Sequence, residues 1–176
     1  MAAPTASLKA RALQWLVQRE HSRSELRRKL LRLSQQRLRA ELEASGDEAP
    51  DRAGALASRV AEVEDLLDWL QAERHLSEQR FVESRVNARS SRYGNVRIRQ
   101  ELRQHDAQLD AASEALLKAS EAERALAVWR RKFGREPAAD AAARARQMRF
   151  LAGRGFSSDV IRQVLLAARE GHATDA

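Results

Sequence analysis

Apolar residues recur at steps of three and four along most of this chain. Leu26, Leu30 and Leu33, then Phe81, Val82 and Val86, then Ile161, Val164 and Leu165 each lay one apolar stripe along a helix. A serine opens each of these helices, and an aromatic residue, a leucine and an arginine precede each serine. The first stretch reads Trp15-Leu16, Arg19, Ser22, Glu25-Leu26. The second reads Trp69-Leu70, Arg74, Ser77, Arg80-Phe81, with one residue inserted before the serine. The third reads Phe150-Leu151, Arg154, Ser157, Val160-Ile161, at the spacing of the first. The repetition predicts helix, short turn, helix three times over. Ser22, Ser77 and Ser157 are its caps, and Ser22 with Glu25 makes a capping-box pattern. A two-helix unit with one apolar stripe cannot bury itself, so a third helix or a neighbouring unit must cover it.

Third helices follow from the remaining breaks. Tyr93-Gly94-Asn95 interrupts the chain, Asn95 is a candidate cap, and Val96, Ile98 and Leu102 supply the apolar positions of a helix ending near Gln104. Residues 34–58 hold Ser45-Gly46-Asp47, Pro50 and Gly54 among charges, which predicts a lengthened helix and a mobile loop. Further on, Leu109, Ala112 and Leu116 suggest a helix. Ser120 with Glu123 suggests a fresh cap, Ala125, Trp129 and Phe133 continue the stripe, and Gly134 and Pro137 end it. The expected fold is all-α, three tandem three-helix repeats over 1–62, 63–106 and 107–176. Ala, Leu, Arg, Glu and Gln dominate the composition, so almost no sheet is expected.

Charge adds a second pattern. The net charge of +7 is the balance of alternating blocks: +8 over 7–39, −8 over 40–73, +5 over 74–104, −3 over 105–128, +6 over 129–154 and −1 over 155–176. A protein that only coats DNA gains little from acidic blocks, because its attraction comes from neutralising phosphate and releasing counterions. Alternation suits a surface that meets both protein and nucleic acid, against the plainer reading of a solvated helical surface. There is no cysteine, so disulfides, thiolate metal sites and cysteine nucleophiles are excluded. No apolar run approaches the ~20 residues that cross a bilayer, and Met1 to Ser7 has no export pattern, so a soluble, cytoplasmic protein is expected.

The run from Arg89 to Leu102, RSSRYGNVRIRQEL, resembles the signature of the RecX family, where a glycine-centred break precedes an Arg-Ile-x-x-Glu-Leu helix. SRSELRRKL from Ser22, HLSEQRFVESRV from His75 and RGFSSDVI from Arg154 are similar to that family in order and spacing. The chain departs from it at the acidic insertion 40–58 and at His105-Asp106-Ala107, where the family has a glycine-containing helix end. The resemblance implies an elongated, curved row of three-helix repeats that binds the RecA–DNA filament, within its groove. It implies inhibition of filament growth, ATP hydrolysis, strand exchange and co-protease activity, with no chemistry of its own and no cofactor. The expected partners are the RecA filament and, weakly and without sequence preference, single-stranded and double-stranded DNA. A monomer is expected, since no sustained apolar stripe is left over.

Two basic clusters are candidate contacts. Arg89, Arg92, Tyr93, Arg97 and Arg99 surround a glycine break at a helix start, where guanidinium groups and backbone donors could meet phosphate. Arg27, Arg28, Lys29 and Arg32 lie on one helix, though some of them must flank the buried Leu26 and Leu30. A third cluster, Arg130, Arg131, Lys132 and Arg135, reads as a solvated helix end. Trp15, Trp69, Trp129 and Phe150 read as core. His21, His75, His105 and His172 are scattered, without metal-ligand spacing, and look like turn and surface residues. No phosphate-binding loop, dinucleotide fingerprint or nucleophile elbow is present, so an enzyme is not expected. The rival reading is a stand-alone helix-turn-helix-like DNA-binding protein, but exposed Arg and Glu suit sequence-tolerant contact better than operator reading.

Overall fold

The computed structural model describes residues 6–45, 52–134 and 138–174. Among them are nine helices and no strand: α1 (Leu8–Gln18), α2 (Arg23–Ser45), α3 (Arg52–Ala72), α4 (Glu78–Ser90), α5 (Asn95–Arg103), α6 (Ala111–Ala119), α7 (Glu121–Phe133), α8 (Ala141–Gly153) and α9 (Ser158–Thr174). The fold is all-α and built from consecutive three-helix sets. Packing divides it into two compact units, residues 1–81 and 82–176.

In the first unit α2 packs along α3 and against α1. Positions three and four apart share one helix face, so Leu8 and Ala12 of α1, Leu26 and Leu30 of α2, and Val63, Leu67 and Leu70 of α3 converge on one core, closed by Leu76. Ser22 Oγ accepts from the Glu25 N–H at 3.1 Å and Ser77 Oγ from the Arg80 N–H at 3.3 Å, so both predicted caps form. Of the lengthened helix and loop expected over 34–58, the described residues show the helix. α2 continues to Ser45 and α3 begins at Arg52, so Gly54 lies within a helix, while Gly46, Asp47 and Pro50 fall outside the described residues.

In the second unit α7, α8 and α9 pack on one another around Trp129, Leu151, Phe156, Ile161, Val164 and Leu165. The Trp129 indole N–H donates to Gln147 Oε1 at 3.0 Å, so the largest buried side chain has its one polar atom satisfied. The middle set contributes Val82, Ile98, Leu102, Ala107 and Leu117 to the buried interior. Three apolar positions read as part of a stripe are exposed, Leu116 at 73%, Val96 at 49% and Ala112; Leu117 is buried in place of Leu116, while Ile98 and Leu102 are buried as expected. A stripe of small and medium residues leaves the helix phase uncertain by one position.

Two expected caps are corrected. Gly94, not Asn95, precedes the first turn of α5, and Asn95 is buried inside it. Ser120 stands at the N-cap position of α7 as expected, but its side chain makes no cap bond there, its hydroxyl donating back to the Leu116 carbonyl of α6 at 3.0 Å. Ser157, also read as a cap, donates to Glu121 Oε2 at 3.4 Å.

Turn geometry repeats across the chain. The N–H of Ala107 donates to the Leu102 carbonyl at 3.1 Å and that of Phe156 to Leu151 at 3.3 Å, each closing a helix end around a residue of positive φ, Asp106 and Gly155. The turn after α3 is longer by the inserted residue: Leu76 donates back to Leu70 at 3.0 Å around Arg74, whose φ is 58°. Asp106, φ 54°, takes the left-handed conformation where glycine was expected, which Asp tolerates better than most residues.

The glycine break has a tertiary purpose. The Gly94 N–H donates to the Arg154 carbonyl at 2.9 Å and the Val96 N–H to the Gly155 carbonyl at 3.1 Å. A Cβ on Gly94 would sit 2.2 Å from the Gly155 oxygen and 2.3 Å from the Phe156 nitrogen. Gly94→Ala should therefore cost about 2 kcal/mol or more in urea unfolding. Gly153→Ala meets nothing within 4 Å on a helix, and should be neutral or stabilising by up to about 1 kcal/mol. Equal effects of the two would contradict the close approach.

Candidate nucleic-acid interface

The basic residues of α2 divide into two groups. Arg23 and Arg27 turn toward α3: Arg23 bonds Glu64 at 3.0 Å and Asp68 at 2.8 Å, and Arg27 bonds the other Glu64 oxygen. These bonds, Arg27's foremost, hold the Glu64 carboxyl below its usual range. Arg27 is therefore spent within the fold. Arg28 and Arg32 have no ion-pair partner among the described residues and are exposed. With Arg11, Trp15, Glu25, Lys29, Leu33 and Gln36 they line an open groove of about 520 Å³ between α1 and α2.

Lys29 occupies one wall of that groove. Its ammonium lies 4.4 Å from the centre of the Trp15 ring and 3.1 Å from His21 Nε2. Trp15 and Trp69 are partly buried against the core, and each carries a lysine on its face, Lys9 standing 3.5 Å from the Trp69 ring. His21 corrects the surface assignment, for it is 1% exposed, with its Nδ1 2.9 Å from the Arg19 carbonyl. Burial pushes its pKa down, more than the Arg19 carbonyl pulls it up.

In the second unit the candidate residues gather at the turn between α4 and α5. Arg97, Arg89 and Arg154 stand 4.4, 5.7 and 6.0 Å from the centre of the Tyr93 ring. Glu101 counters two of them, bonding Arg89 at 2.8 Å and Arg97 at 3.5 Å. Arg99 lies away from this group and bonds Glu114 in a bidentate pair that pushes its pKa up. Arg92 is exposed with no ion-pair partner among the described residues, while its carbonyl accepts from Arg154 Nη1 at 3.2 Å. Arg92 and Arg97 are the exposed arginines of this group, Arg97 lying over the Tyr93 ring. Arg130, Arg131 and Lys132 end α7 as solvated charges, and Arg135 lies outside the described residues.

Sequence reasoning missed the buried polar assembly behind this turn. Arg124 of α7 donates to the carbonyls of Ser90, Tyr93 and Leu117 at 3.2, 3.0 and 3.0 Å and to Asn95 Oδ1 at 2.5 Å. Glu121, 5% exposed, accepts from the Asn95 N–H at 2.9 Å. Arg154 was also missed as a member of the Tyr93 group. Its signal was the arginine that recurs at Arg19, Arg74 and Arg154 ahead of each serine.

Among the described residues, no three His, Cys, Asp or Glu side chains gather as a metal site would require, and no helix is long and apolar enough to cross a membrane. Consecutive three-helix sets whose turns carry arginine define a helical-repeat protein with basic interaction faces. Residues 77–116 match the family model described as "RecX, second three-helix domain" and residues 119–165 that described as "RecX, third three-helix domain". The Regulatory protein RecX of Ralstonia nicotianae is 49% identical over 92% of this chain and 88% of its own length. That of Leptothrix cholodnii is 47% identical over 98% and 96%, and that of Herbaspirillum seropedicae 46% over 96% and 95%. The chain belongs to the RecX family of regulatory proteins.

Two stability measurements follow. Arg124→Met removes the side-chain donor from the Ser90 and Tyr93 carbonyls and from Asn95 Oδ1 and should cost about 2–3 kcal/mol in urea unfolding, against under about 0.5 kcal/mol for Arg92→Ala. His21 has its pKa lowered in the fold, so the unfolded chain binds more protons in that window. Stability should be full above the unfolded value of about 6.5 and fall as pH drops below it. Thermal melts between about pH 7.5 and 5.5 should show this loss, and His21→Gln should reduce it.

Proposed function

We propose that this chain binds the RecA–DNA filament and restrains it, lowering filament growth, ATP hydrolysis, strand exchange and co-protease activity without chemistry of its own. The observation that carries this reading is the near full-length likeness to proteins named Regulatory protein RecX. The two basic faces support a nucleic-acid component. Arg28, Arg32 and Arg92 supply phosphate contacts, joined by Arg97, whose pair with Glu101 at 3.5 Å is the loosest of those here; Tyr93 adds an aromatic face, and Arg27, Arg89 and Arg99 chiefly hold the fold, being bonded more closely to carboxylates. Contacts of this kind are electrostatic and tolerant of sequence, so binding to bare single- or double-stranded DNA is weak and the coated filament is the tighter target. The paired acidic and basic helices suit a protein surface as well as phosphate. The working form is a monomer acting in the cytoplasm.

RecA-catalysed ATP hydrolysis on single-stranded DNA, titrated with this protein at fixed salt, tests the reading. Inhibition is expected at concentrations well below those that coat the bare DNA. Inhibition that only tracks DNA coating, or none, would replace it with a stand-alone DNA-binding role. Arg28→Ala and Arg92→Ala should each lower the salt slope of DNA binding by about one, whereas Arg99→Ala should leave that slope unchanged.

A further inference from the structure

Behind the α1/α2 groove, in contact with Lys29 of its wall, lies a buried histidine, His21, whose two ring nitrogens have chemically opposite partners. Nδ1 lies 2.9 Å from the Arg19 carbonyl, which can only accept, and Nε2 lies 3.1 Å from the Lys29 ammonium, which can only donate. These partners together require one form of the ring: neutral, with its proton on Nδ1 and its Nε2 lone pair turned to Lys29. The imidazolium cannot occupy the same arrangement, because a second N–H would then point at the ammonium. The charged groups acting on the ring among the described residues are Arg19 at the end of α1 and Glu25 and Lys29 of α2. Glu25, whose two carboxylate oxygens are both bonded by Arg19, brings Oε1 to 3.9 Å from Nε2, so that a protonated ring would share this carboxylate with Arg19. Nearby Glu20 is engaged with Arg80 at 2.8 Å.

The ammonium held by this lone pair is part of the groove wall. One of its donors is committed to His21 and its charge lies over Trp15, so the neighbouring groove presents Arg11, Arg28 and Arg32 while Lys29 is held back. Desolvation disfavours the charged form of Lys29 in this position.

We propose that His21 is a proton-operated latch on Lys29: the neutral ring holds the ammonium against Trp15, and the protonated ring turns Nε2–H to Glu25 and releases Lys29 into the groove for a phosphate. Polyanion binding at this face is then coupled to uptake of one proton. By reciprocity, a bound polyanion favours protonated His21. This inference rests on the reading of the groove as a phosphate-binding face, and it adds a regulation to that face. His21 is a positioning residue, acting through Lys29 without touching the ligand.

The probe is a fluorescent oligo-dT, with binding to the full chain measured at constant ionic strength at about pH 7.5 and about pH 5.5, a range in which an unperturbed histidine changes charge. The wild type should gain roughly fivefold or more in affinity at the acidic pH, the size of one added charged hydrogen bond. His21→Gln and Lys29→Met should each lose most of that gain, whereas His75→Gln should keep it. Because a buried variant can fail to fold, ¹⁵N NMR of the wild-type imidazoles gives a second measurement. Free His21 should be the Nδ1–H tautomer at neutral pH, and its titration midpoint should rise when oligo-dT is bound. An unchanged midpoint, or an equal acid gain in Lys29→Met, would overturn the latch. Binding that depends on Arg28 and Arg32 but not on pH would overturn the latch alone. Binding indifferent to Arg28, Arg32 and Lys29 would remove the groove itself as a phosphate face, and with it the latch.

Discussion

The second unit depends on one close approach of backbone to backbone. The turn before α5 lies directly on the turn before α9, with Gly94 and Gly155 facing each other and no room for a side chain on Gly94. Two backbone hydrogen bonds join the turns, and Arg124 and Glu121 hold the first of them from behind through the carbonyls and Asn95. A buried carboxylate and a half-buried guanidinium are costly to desolvate and are retained where hydrogen bonds satisfy them from several sides. Here they satisfy backbone groups that a sharp turn leaves without helical partners. The exposed Arg92 and the Tyr93 ring are thereby carried on a fastened turn.

The alternation of charge along the chain resolves into two uses. Some of the opposed blocks cancel within the fold: Arg23 and Arg27 meet Glu64 and Asp68 across α2 and α3, and Arg99 meets Glu114. Pairs this exposed contribute little to stability individually, yet they fix which basic side chains remain available. What survives cancellation is a short set, Arg28, Arg32 and Lys29 on one face and Arg92 on another, where Arg97 keeps only a loose pair with Glu101. The reading of the groove as a phosphate face and the His21 latch both belong to this uncancelled set.

Much of the architecture was legible because helix periodicity, serine caps and glycine breaks are local signals. The three-fold recurrence of aromatic, arginine and serine located the turns before α2, α4 and α9, and the stripes of Leu26, Phe81 and Ile161 are buried as their spacing required. The inserted residue before Ser77 reappeared as a longer turn around Arg74. The errors were also local in origin. Asn95 and Ser120 carry the side chains of caps, but each had a better partner from a distant element or from the preceding helix, and a partner of that kind leaves no mark at short range. Leu116 and Val96 were placed inward by a periodicity that tolerates a shift of one residue.

By itself, the sequence determined the helical class, the succession of helices and turns, and the position of the two basic clusters, because each is set by residues a few positions apart. Only the tertiary structure decided which members of those clusters are spent on carboxylates, that Arg154 joins Tyr93, that Arg124 underlies the turn and that His21 is buried. Those outcomes depend on pairs separated by tens of residues, such as Arg27 with Glu64 and Asn95 with Glu121. Hydrogen bonds and ion pairs act over a few ångströms of space, and distance along the chain does not encode that proximity.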